Sequence, residues 1–155
     1  KTCYNGLYRV NKKGKFNVPF GKYANPTICN ADLLRECAKA LRTASLNRED
    51  FAFSLRDGHV AEGDLVYSDP PYIPLNATSN FTSYTADGFD DTAQVRLRDR
   101  LWALKQRGVH VLISGSSADR TRELYKEFEC VELTTRRTIS AKASSRGECK
   151  ELLFK

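Results

Sequence analysis

The sequence predicts an α/β fold built on a parallel β-sheet, and three observations lead to that prediction. The 155 residues suit a single domain, and the 41% hydrophobic and 28% charged residues are typical of a globular chain. Short apolar segments with the pattern of buried strands alternate with longer amphipathic segments in the second half of the chain. No segment approaches the roughly 18 consecutive apolar residues that indicate a membrane-spanning helix.

The first part of the chain predicts a hairpin and then a helix. Residues 1–23 place turn signals such as Lys13-Gly14 between short apolar and aromatic stretches, which favours irregular or hairpin structure. Asn30 or Asp32 is the expected cap of a helix that runs to about Ala44. The apolar residues on one face of this helix are Leu33, Leu34, Cys37, Ala40 and Leu41.

Two short strands and a long loop are predicted next. Phe51–Leu55 has the alternation of a short strand, and Leu65–Tyr67 has the apolar character of a buried one. The second strand leads to the tetrapeptide Asp69-Pro70-Pro71-Tyr72, where two consecutive prolines force the chain to turn. Residues 73–90 are polar with three aromatic residues, which predicts a long loop of the kind that often carries function.

The rest of the chain continues the alternation of helices and strands. A helix is predicted from Asp90 or Asp91 to about Arg107, and Gly108 ends it. The further predicted elements are a strand at Val109–Ser114, a helix at Ala118–Phe128, a strand at Cys130–Thr135, a basic loop at Arg136–Gly147 and a strand at Glu151–Phe154. Parallel sheets bind ligands beyond the carboxyl ends of their strands, which is where the proline-containing tetrapeptide lies.

The charge of the chain is modestly positive and unevenly distributed. There are 25 Lys and Arg residues against 19 Asp and Glu residues, a formal net charge of +6. Residues 1–23 contain basic residues and no acidic residue. Such a segment is compatible with a polyanionic partner, although for charge alone a solvated surface is the more common meaning.

The cysteine and histidine residues argue against a disulfide framework and against a metal site. The five cysteines are odd in number, and no two have the C-x-x-C spacing. Buried or inert thiols in a reducing compartment are the expected state. The two histidines are His59 and His110, and His110 lies in an apolar run that favours a structural role. We therefore predict no metal ligand.

The tetrapeptide Asp69-Pro70-Pro71-Tyr72 carries the strongest functional signal. With the preceding Gly63–Tyr67 it resembles the amino-group methyltransferases that act on nucleic acids and use S-adenosylmethionine. The exocyclic amine of adenine is a poor nucleophile because its lone pair is delocalised into the ring. The Asp69 carboxylate and the Pro70 carbonyl can accept its N–H groups, and the two prolines hold that carbonyl rigidly. Tyr72 offers a flat face to a base flipped out of the duplex.

The resemblance covers nearly the whole chain and is most specific to the Dam-type DNA adenine methylases. The segments that carry it, in family order, are Tyr4–Asn11, Gly14–Gly21, Asn80–Tyr84, Arg136–Ser140 and Glu151–Leu153. It implies a partial Rossmann-like sheet of an S-adenosylmethionine-dependent methyltransferase, with a DNA target-recognition segment at the N-terminus. Residues 1–25 would belong to target recognition and residues 26–155 to the catalytic domain.

The same resemblance implies the contacts with double-stranded DNA. Tyr4 matches an aromatic that wedges into the duplex, and Leu7, Arg9 and Pro19 match positions that read the bases of a GATC site. The polar positions implied to lie near the DNA are Asn5, Asn11, Lys15, Asn17 and Lys22. The chemistry is sensible because arginine can bind a guanine edge in a bidentate manner and lysines can neutralise phosphates. Taken singly, Leu7 and Pro19 are ordinary turn residues.

The cofactor contacts implied by the resemblance are incomplete. The family has a glycine-rich cofactor loop, whereas none of the nine glycines here forms a Gly-x-Gly pattern. The chain also contains no Met, so we expect it to be the C-terminal two-thirds or so of a methylase. The positions implied to contact S-adenosylmethionine are Phe53, Ser54, Asp69, Pro70 and Tyr84, although Phe53 is equally compatible with a core position.

Two alternatives to adenine methylation stay open. Cytosine-N4 methyltransferases resemble this sequence but usually carry Ser where Asp69 stands. A DNA-binding module without catalysis is compatible with the lack of the glycine-rich loop. For the complete enzyme the resemblance implies a monomer in the cytoplasm, of a bacterium or of a phage host, without membrane or metal partners. It leaves restriction-linked and regulatory methylation equally open.

Overall fold

A computed structural model describes residues 3, 6, 8–11, 13–75, 89–137 and 147–155 of the chain. They form two compact units, one within Lys1–Arg48 and one within Glu49–Lys155. Most of the predicted loop at 73–90 and of the basic loop at 136–147 lies outside the described residues. In the described part of the chain, no helix is both long and apolar enough to cross a bilayer.

The first unit begins with the predicted hairpin. Val10 pairs with Phe16 and Cys3 with Phe20 as isolated antiparallel bridges. The tip is closed by a hydrogen bond of 2.8 Å from the Asn11 amide to the Lys15 carbonyl. Gly14 has a φ of +72°, which glycine adopts without strain. The prediction of hairpin structure is confirmed for these residues.

The predicted helix of the first unit is confirmed as α1, Ala31–Ala40, followed by a 3₁₀ turn at Leu41–Thr43. Its cap is Asn30, whose Oδ1 accepts a hydrogen bond of 3.1 Å from the Leu33 amide. None of the residues of α1 is buried, so the apolar face that predicts the helix is exposed within this unit.

The second unit contains the β-sheet. Its elements in chain order are α2 Phe51–Ser54, β1 Leu65–Ser68, α3 Asp91–Gln106, β2 His110–Ser116, α4 Asp119–Leu124, β3 Cys130–Arg137 and β4 Gly147–Phe154. The strand order is β1-β2-β4-β3. β1 and β2 are parallel, whereas β4 is antiparallel to both β2 and β3. The sheet is therefore mixed.

The prediction of a parallel sheet is wrong for β4, which runs opposite to both of its neighbours, whereas β3 has the same direction as β1 and β2. A parallel connection needs a crossover of about a dozen residues or more, usually with a helix. Only residues 138–146 separate β3 from β4, so the chain returns directly and the two strands pair as antiparallel neighbours.

Two further predictions of local structure are corrected. Phe51–Leu55 is not a strand, because Asp50 caps a single helical turn there by accepting a hydrogen bond of 2.9 Å from the Ala52 amide. The helix predicted at Ala118–Phe128 is only Asp119–Leu124. The chain leaves the helix at Tyr125 and reaches β3 soon afterwards, while Tyr125 and Phe128 stay buried.

The core of the second unit lies between α3, α4 and one face of the sheet. Leu101 and Leu104 of α3 pack there with Ile113 of β2 and with Leu152 and Phe154 of β4, all buried. As predicted, α3 is capped by Asp90, and Gly108 follows its end with a φ of +82°. This core fixes α3 and β2, the two elements whose side chains contact the chain that leaves β1.

The edge strand β1 is buried on one face only. Val66 packs against the core, whereas Leu65 and Tyr67 on the opposite face are 63% and 61% exposed. The prediction of a fully buried strand is therefore wrong for this face. No other described element covers it within the second unit.

Candidate active site

The proline-containing tetrapeptide lies at the carboxyl edge of the sheet, as predicted. Asp69 directly follows β1, and the register pairs Ser68 of β1 with Ile113 of β2. The two strands are parallel, so their carboxyl ends lie side by side. This places Ser114 and Ser116, the last part of β2, next to the turn formed by Asp69, Pro70, Pro71 and Tyr72.

The carboxylate of Asp69 is held by a neighbouring hydroxyl. Ser114 Oγ donates a hydrogen bond of 2.5 Å to Asp69 Oδ1 and lies 3.4 Å from the Ser68 carbonyl oxygen. Asp69 is otherwise exposed, and Oδ2 has no hydrogen-bond partner among the described residues. One oxygen therefore fixes the side chain, and among the described residues the other is not engaged.

Tyr72 is half-buried beside the same group. Burial raises the pKa of its phenol, a hydrogen bond with Ser114 lowers it, and the nearby negative charges of Glu151 and Asp69 raise it further. The net shift is upward from the ordinary value, so the hydroxyl stays protonated at neutral pH. Tyr72 is thus suited to contact and hydrogen-bond donation, not to act as a base.

The backbone of the turn is held by side chains from two other elements. Gln94 of α3 donates a hydrogen bond of 2.7 Å from Nε2 to the Pro71 carbonyl oxygen. Ser116 of β2 donates one of 2.6 Å to the Ile73 carbonyl oxygen. The Pro70 carbonyl oxygen has no such partner in the described part of the chain.

Sequence reasoning missed Ser114, Ser116 and Gln94. The two serines could have been found, because residues at the carboxyl end of β2 must lie beside the chain that leaves a parallel neighbour. The signal for Gln94 is its position. It occupies the same face of α3 as the buried Leu97 and Leu101, where a polar side chain needs a partner.

A cleft of about 330 Å³ lies beside β1 and α2 and reaches the tetrapeptide. Its lining includes Asp69 and Pro70 together with Ser54, the rings of Phe51 and Phe89, and Glu49. The two rings are 6.0 Å apart between centroids and meet edge to face. Ser54 Oγ donates a hydrogen bond of 2.8 Å to Glu49 Oε1. The cleft thus combines apolar rings with polar groups.

Of the predicted cofactor contacts, the structure brings Ser54, Asp69 and Pro70 to this cleft. Phe53 does not line it. Its ring is more than half exposed and carries the Arg56 guanidinium 3.8 Å above its centroid. The phenylalanine of the helical turn that lines the cleft is Phe51. Tyr84 lies outside the described residues.

The predicted DNA contacts all belong to the first unit. Tyr4, Asn5 and Leu7 lie outside the described residues. Pro19, Lys15 and Lys22 are exposed. Arg9 is also exposed, but its guanidinium already has partners.

Asn17 and Asn11 both have defined partners within the hairpin. Arg9 Nε donates a hydrogen bond of 2.9 Å to Asn17 Oδ1, and Nη2 donates one of 3.0 Å to the Asn17 carbonyl. Asn11 Oδ1 accepts from the amides of Lys13 and Lys15 at 2.9 and 3.1 Å. Asn11 therefore shapes the turn, and Asn17 holds the arginine.

All five cysteines are free thiols, and none of them is buried, since Cys29, Cys37 and Cys130 are exposed and Cys3 and Cys149 are partly exposed. Among the described residues, no three His, Cys, Asp or Glu side chains cluster in a way that could hold a metal ion.

Comparison with known proteins extends the resemblance. The chain is 45% identical over 153 residues to a type II methyltransferase of Lactococcus lactis subsp. cremoris, which covers 99% of this chain and 54% of that protein. It is 44% identical to a type II methyltransferase of Methanocaldococcus jannaschii, over 96% of this chain and 51% of the relative. It is 39% identical to the DNA adenine methylase of Escherichia coli K12, over 97% of this chain and 53% of that enzyme.

The chain thus spans about half the length of the curated relatives it matches. The model of the D12 class N6 adenine-specific DNA methyltransferases matches residues 1–139, which include both the hairpin and the tetrapeptide. The family predicted from the sequence is confirmed, and the chain belongs to the D12 class of N6 adenine-specific DNA methyltransferases.

Proposed function

We propose that the protein containing this chain transfers a methyl group from S-adenosylmethionine to N6 of adenine in double-stranded DNA. The observation that carries the proposal is the pair of acceptor-bearing residues that follow β1. Asp69 and Pro70 both line the cleft, Ser114 anchors Asp69 through Oδ1, and Gln94 anchors the carbonyl of the next residue, Pro71. Family membership supplies the reaction class.

The proposed chemistry uses these acceptors to activate the adenine amine. Asp69 and Pro70 accept hydrogen bonds from its two N–H groups, which shifts electron density toward the nitrogen. As the N–CH3 bond forms and the bond from methyl to sulfur breaks, the amine gives up one proton along its hydrogen bond to the Asp69 carboxylate. Because Asp69 is already anchored through Oδ1, little reorganisation is needed when the amine arrives. Tyr72 contacts the face of the base, which we propose is flipped out of the duplex. Both prolines limit the motion of the turn.

The cleft beside β1 fits the donor. Phe51 and Phe89 offer apolar rings to an adenosyl group, and Glu49 and Ser54 offer polar atoms to its hydroxyl groups. When bound, S-adenosylmethionine supplies an electrophilic methyl group on a sulfonium sulfur. Asp69 and Pro70 belong both to this cleft and to the tetrapeptide, so methyl donor and acceptor can meet there.

We propose that residues 1–25 recognise DNA and residues 26–155 contribute to catalysis. The acid-free hairpin supports this division because its lysines can neutralise phosphates. Arg9, held by Asn17 with its guanidinium exposed, is the proposed base reader, and Pro19 presents an apolar contact. The proposed partners in the segment outside the described residues are Tyr4, Asn5 and Leu7. GATC is the proposed site.

Of the two alternatives, cytosine-N4 methylation is disfavoured by the family match and by the presence of Asp69. No observation favours a non-catalytic DNA-binding module over an adenine methyltransferase. The bacterial DNA methylases among the relatives support a cytoplasmic site of action. A restriction-linked role and a regulatory role are both retained.

The proposal is tested with the full-length gene product and a duplex carrying one GATC site. Labelled S-adenosylmethionine and nucleoside analysis should show N6-methyladenine in this duplex and none in a duplex with the same bases in scrambled order. N4-methylcytosine as product, or no product at all, would contradict the proposal. Equal methylation of both duplexes would contradict the proposed GATC site but not the proposed reaction.

A further inference from the structure

Two side chains from other elements bind the backbone at the end of the tetrapeptide and just after it. They donate hydrogen bonds to the carbonyl groups of Pro71 and Ile73. The two prolines have no N–H group, so the turn cannot build its own hydrogen-bond ladder. Gln94 Nε2 donates to the Pro71 carbonyl at 2.7 Å, and Ser116 Oγ donates to the Ile73 carbonyl at 2.6 Å. Tyr72 lies between the two anchored carbonyls.

Both donors are buried and supported from behind. Gln94 is 3% exposed and Ser116 is 8% exposed. Gln94 Oε1 lies 3.5 Å from the hydroxyl of Tyr125, and Ser116 Oγ lies 3.2 Å from Thr121 Oγ1, with Tyr125 and Thr121 also buried. Burial raises the pKa of Tyr125 to about 12, so its hydroxyl stays a donor at neutral pH. Each donor therefore has a fixed orientation.

The arrangement links the turn rigidly to the core. Gln94 lies on α3 between the cap Asp90 and the buried Leu97, and Ser116 ends β2. The Gln94 amide holds the peptide plane that joins Pro71 to Tyr72, and the Ser116 hydroxyl holds the plane that follows Ile73. The plane before Pro71 contains the Pro70 carbonyl, so its direction depends on the anchored plane that follows.

We propose that Gln94 and Ser116 are positioning residues for methyl transfer, which aim the Pro70 carbonyl and the Tyr72 ring without touching substrate or cofactor. The inference rests on the proposed function. A misplacement of about 1 Å at a reacting centre can lower a rate by about 100-fold even when the change lies away from the chemistry. The predicted defect is therefore in turnover, not in binding.

The experiment uses the full-length gene product with Gln94→Met and Ser116→Ala. Met matches the length of Gln but has no donor, and Ala removes only the hydroxyl. Gln106→Met, at the exposed end of the same helix, and Ser117→Ala, next along the chain, are the matched controls. For each variant, single-turnover rate, kcat, KM for S-adenosylmethionine, DNA affinity and thermal midpoint are measured.

We expect Gln94→Met to lower kcat and the single-turnover rate about 10- to 100-fold and Ser116→Ala about 5- to 10-fold, by the same positional argument. KM and DNA affinity should stay within about threefold, and both controls should match wild type. If Gln94→Met fails to fold, Ser116→Ala tests the inference by itself, because truncation of one hydroxyl leaves the strand intact.

Wild-type kcat in the folded variants would overturn the inference, and so would a loss confined to KM. A wild-type enzyme that transfers no methyl group to adenine would instead overturn the proposed function. The two failures are thus distinguishable in one set of measurements.

Discussion

The two units of the chain fix their proposed functional side chains in different ways. In the hairpin, Arg9 is held by Asn17, a neighbour eight residues away in an exposed pair. In the second unit, Asp69 is held by Ser114, 45 residues away, and the Pro71 carbonyl by Gln94, 23 residues away. The proposed recognition thus depends on local contacts within the hairpin, whereas the proposed chemistry depends on the core.

The largest expected effect is a loss of activity on substitution of Asp69 in the second unit. Asp69→Ala should lower methyl transfer by about 10²- to 10³-fold, because the contact with the amine is strongest in the transition state. DNA affinity should change by less than about threefold, since the hairpin is untouched. Single-turnover rates and fluorescence anisotropy with a GATC duplex measure the two effects. Asp99→Ala, an exposed carboxylate on α3, is the control. Activity of Asp69→Ala within about threefold of wild type would contradict the assignment.

Stability should follow the same division. Leu101→Ala in the core of the second unit should lower the free energy of unfolding by about 2–5 kcal/mol. Leu33→Ala, a matched truncation on exposed α1, should change it by less than about 0.5 kcal/mol. Denaturant titrations of both variants provide the measurement. A large loss for Leu33→Ala would mean that the face of α1 is covered in the natural protein.

Arg9→Ala should reduce sequence discrimination without a large loss of overall affinity. As a base reader, it should lose about 1–3 kcal/mol of preference at one base pair of the site. Lys15→Ala should instead weaken binding to all duplexes alike and reduce the salt dependence. Competition binding with single-base variants of the site separates the two. An equal loss on cognate and unrelated DNA would show that Arg9 contacts the backbone.

The smallest expected effect is at an exposed ion pair that joins two elements of the second unit. Arg120 binds both oxygens of Asp91, at 2.9 and 2.8 Å, and this hydrogen bonding lowers the pKa of Asp91. A lowered carboxyl pKa stabilises the fold above its ordinary value of 3.8, and the contribution disappears as pH falls through the lowered value. Arg120→Gln should therefore cost at most about 1 kcal/mol at pH 7 and less in acid.

Unfolding curves at pH 7 and pH 3 check this prediction. Arg35→Gln, which breaks a pair with Asp32 within one helix, is the control and should have little effect at either pH. A difference for Arg120→Gln that grows in acid would contradict the sign of the shift.

The sequence predicts elements well where several local signals agree. Helix α3 has a capping aspartate at Asp90, an apolar face and a terminating Gly108, and its bounds are close to those predicted. Phe51–Leu55 has only a short apolar run, which is equally compatible with a strand and with a helical turn. The Asp50 cap favours the helical turn. Strand direction is also not local, since it depends on how the chain returns between β3 and β4.

The site divides in the same way. The tetrapeptide is recognisable because its prolines and its acid are unusual together, and they occupy consecutive positions. The partners Ser114, Gln94 and Ser116 are common residues at distant positions, and only the fold brings them to the turn. Phe51 replaces Phe53 at the cleft because the predicted strand is a helical turn, which changes the side that each ring faces.

The backbone origin of one proposed acceptor limits what genetic screens can detect. Every residue has a carbonyl oxygen, so no substitution at position 70 deletes that of Pro70. An alanine scan would therefore score Asp69 as essential and report Pro70 only through the stiffness of its ring. The contribution of the carbonyl would instead register at Gln94 and Ser116, far away in the sequence. Mutational maps of such an enzyme should show sensitive positions on α3 and β2 that contact no ligand.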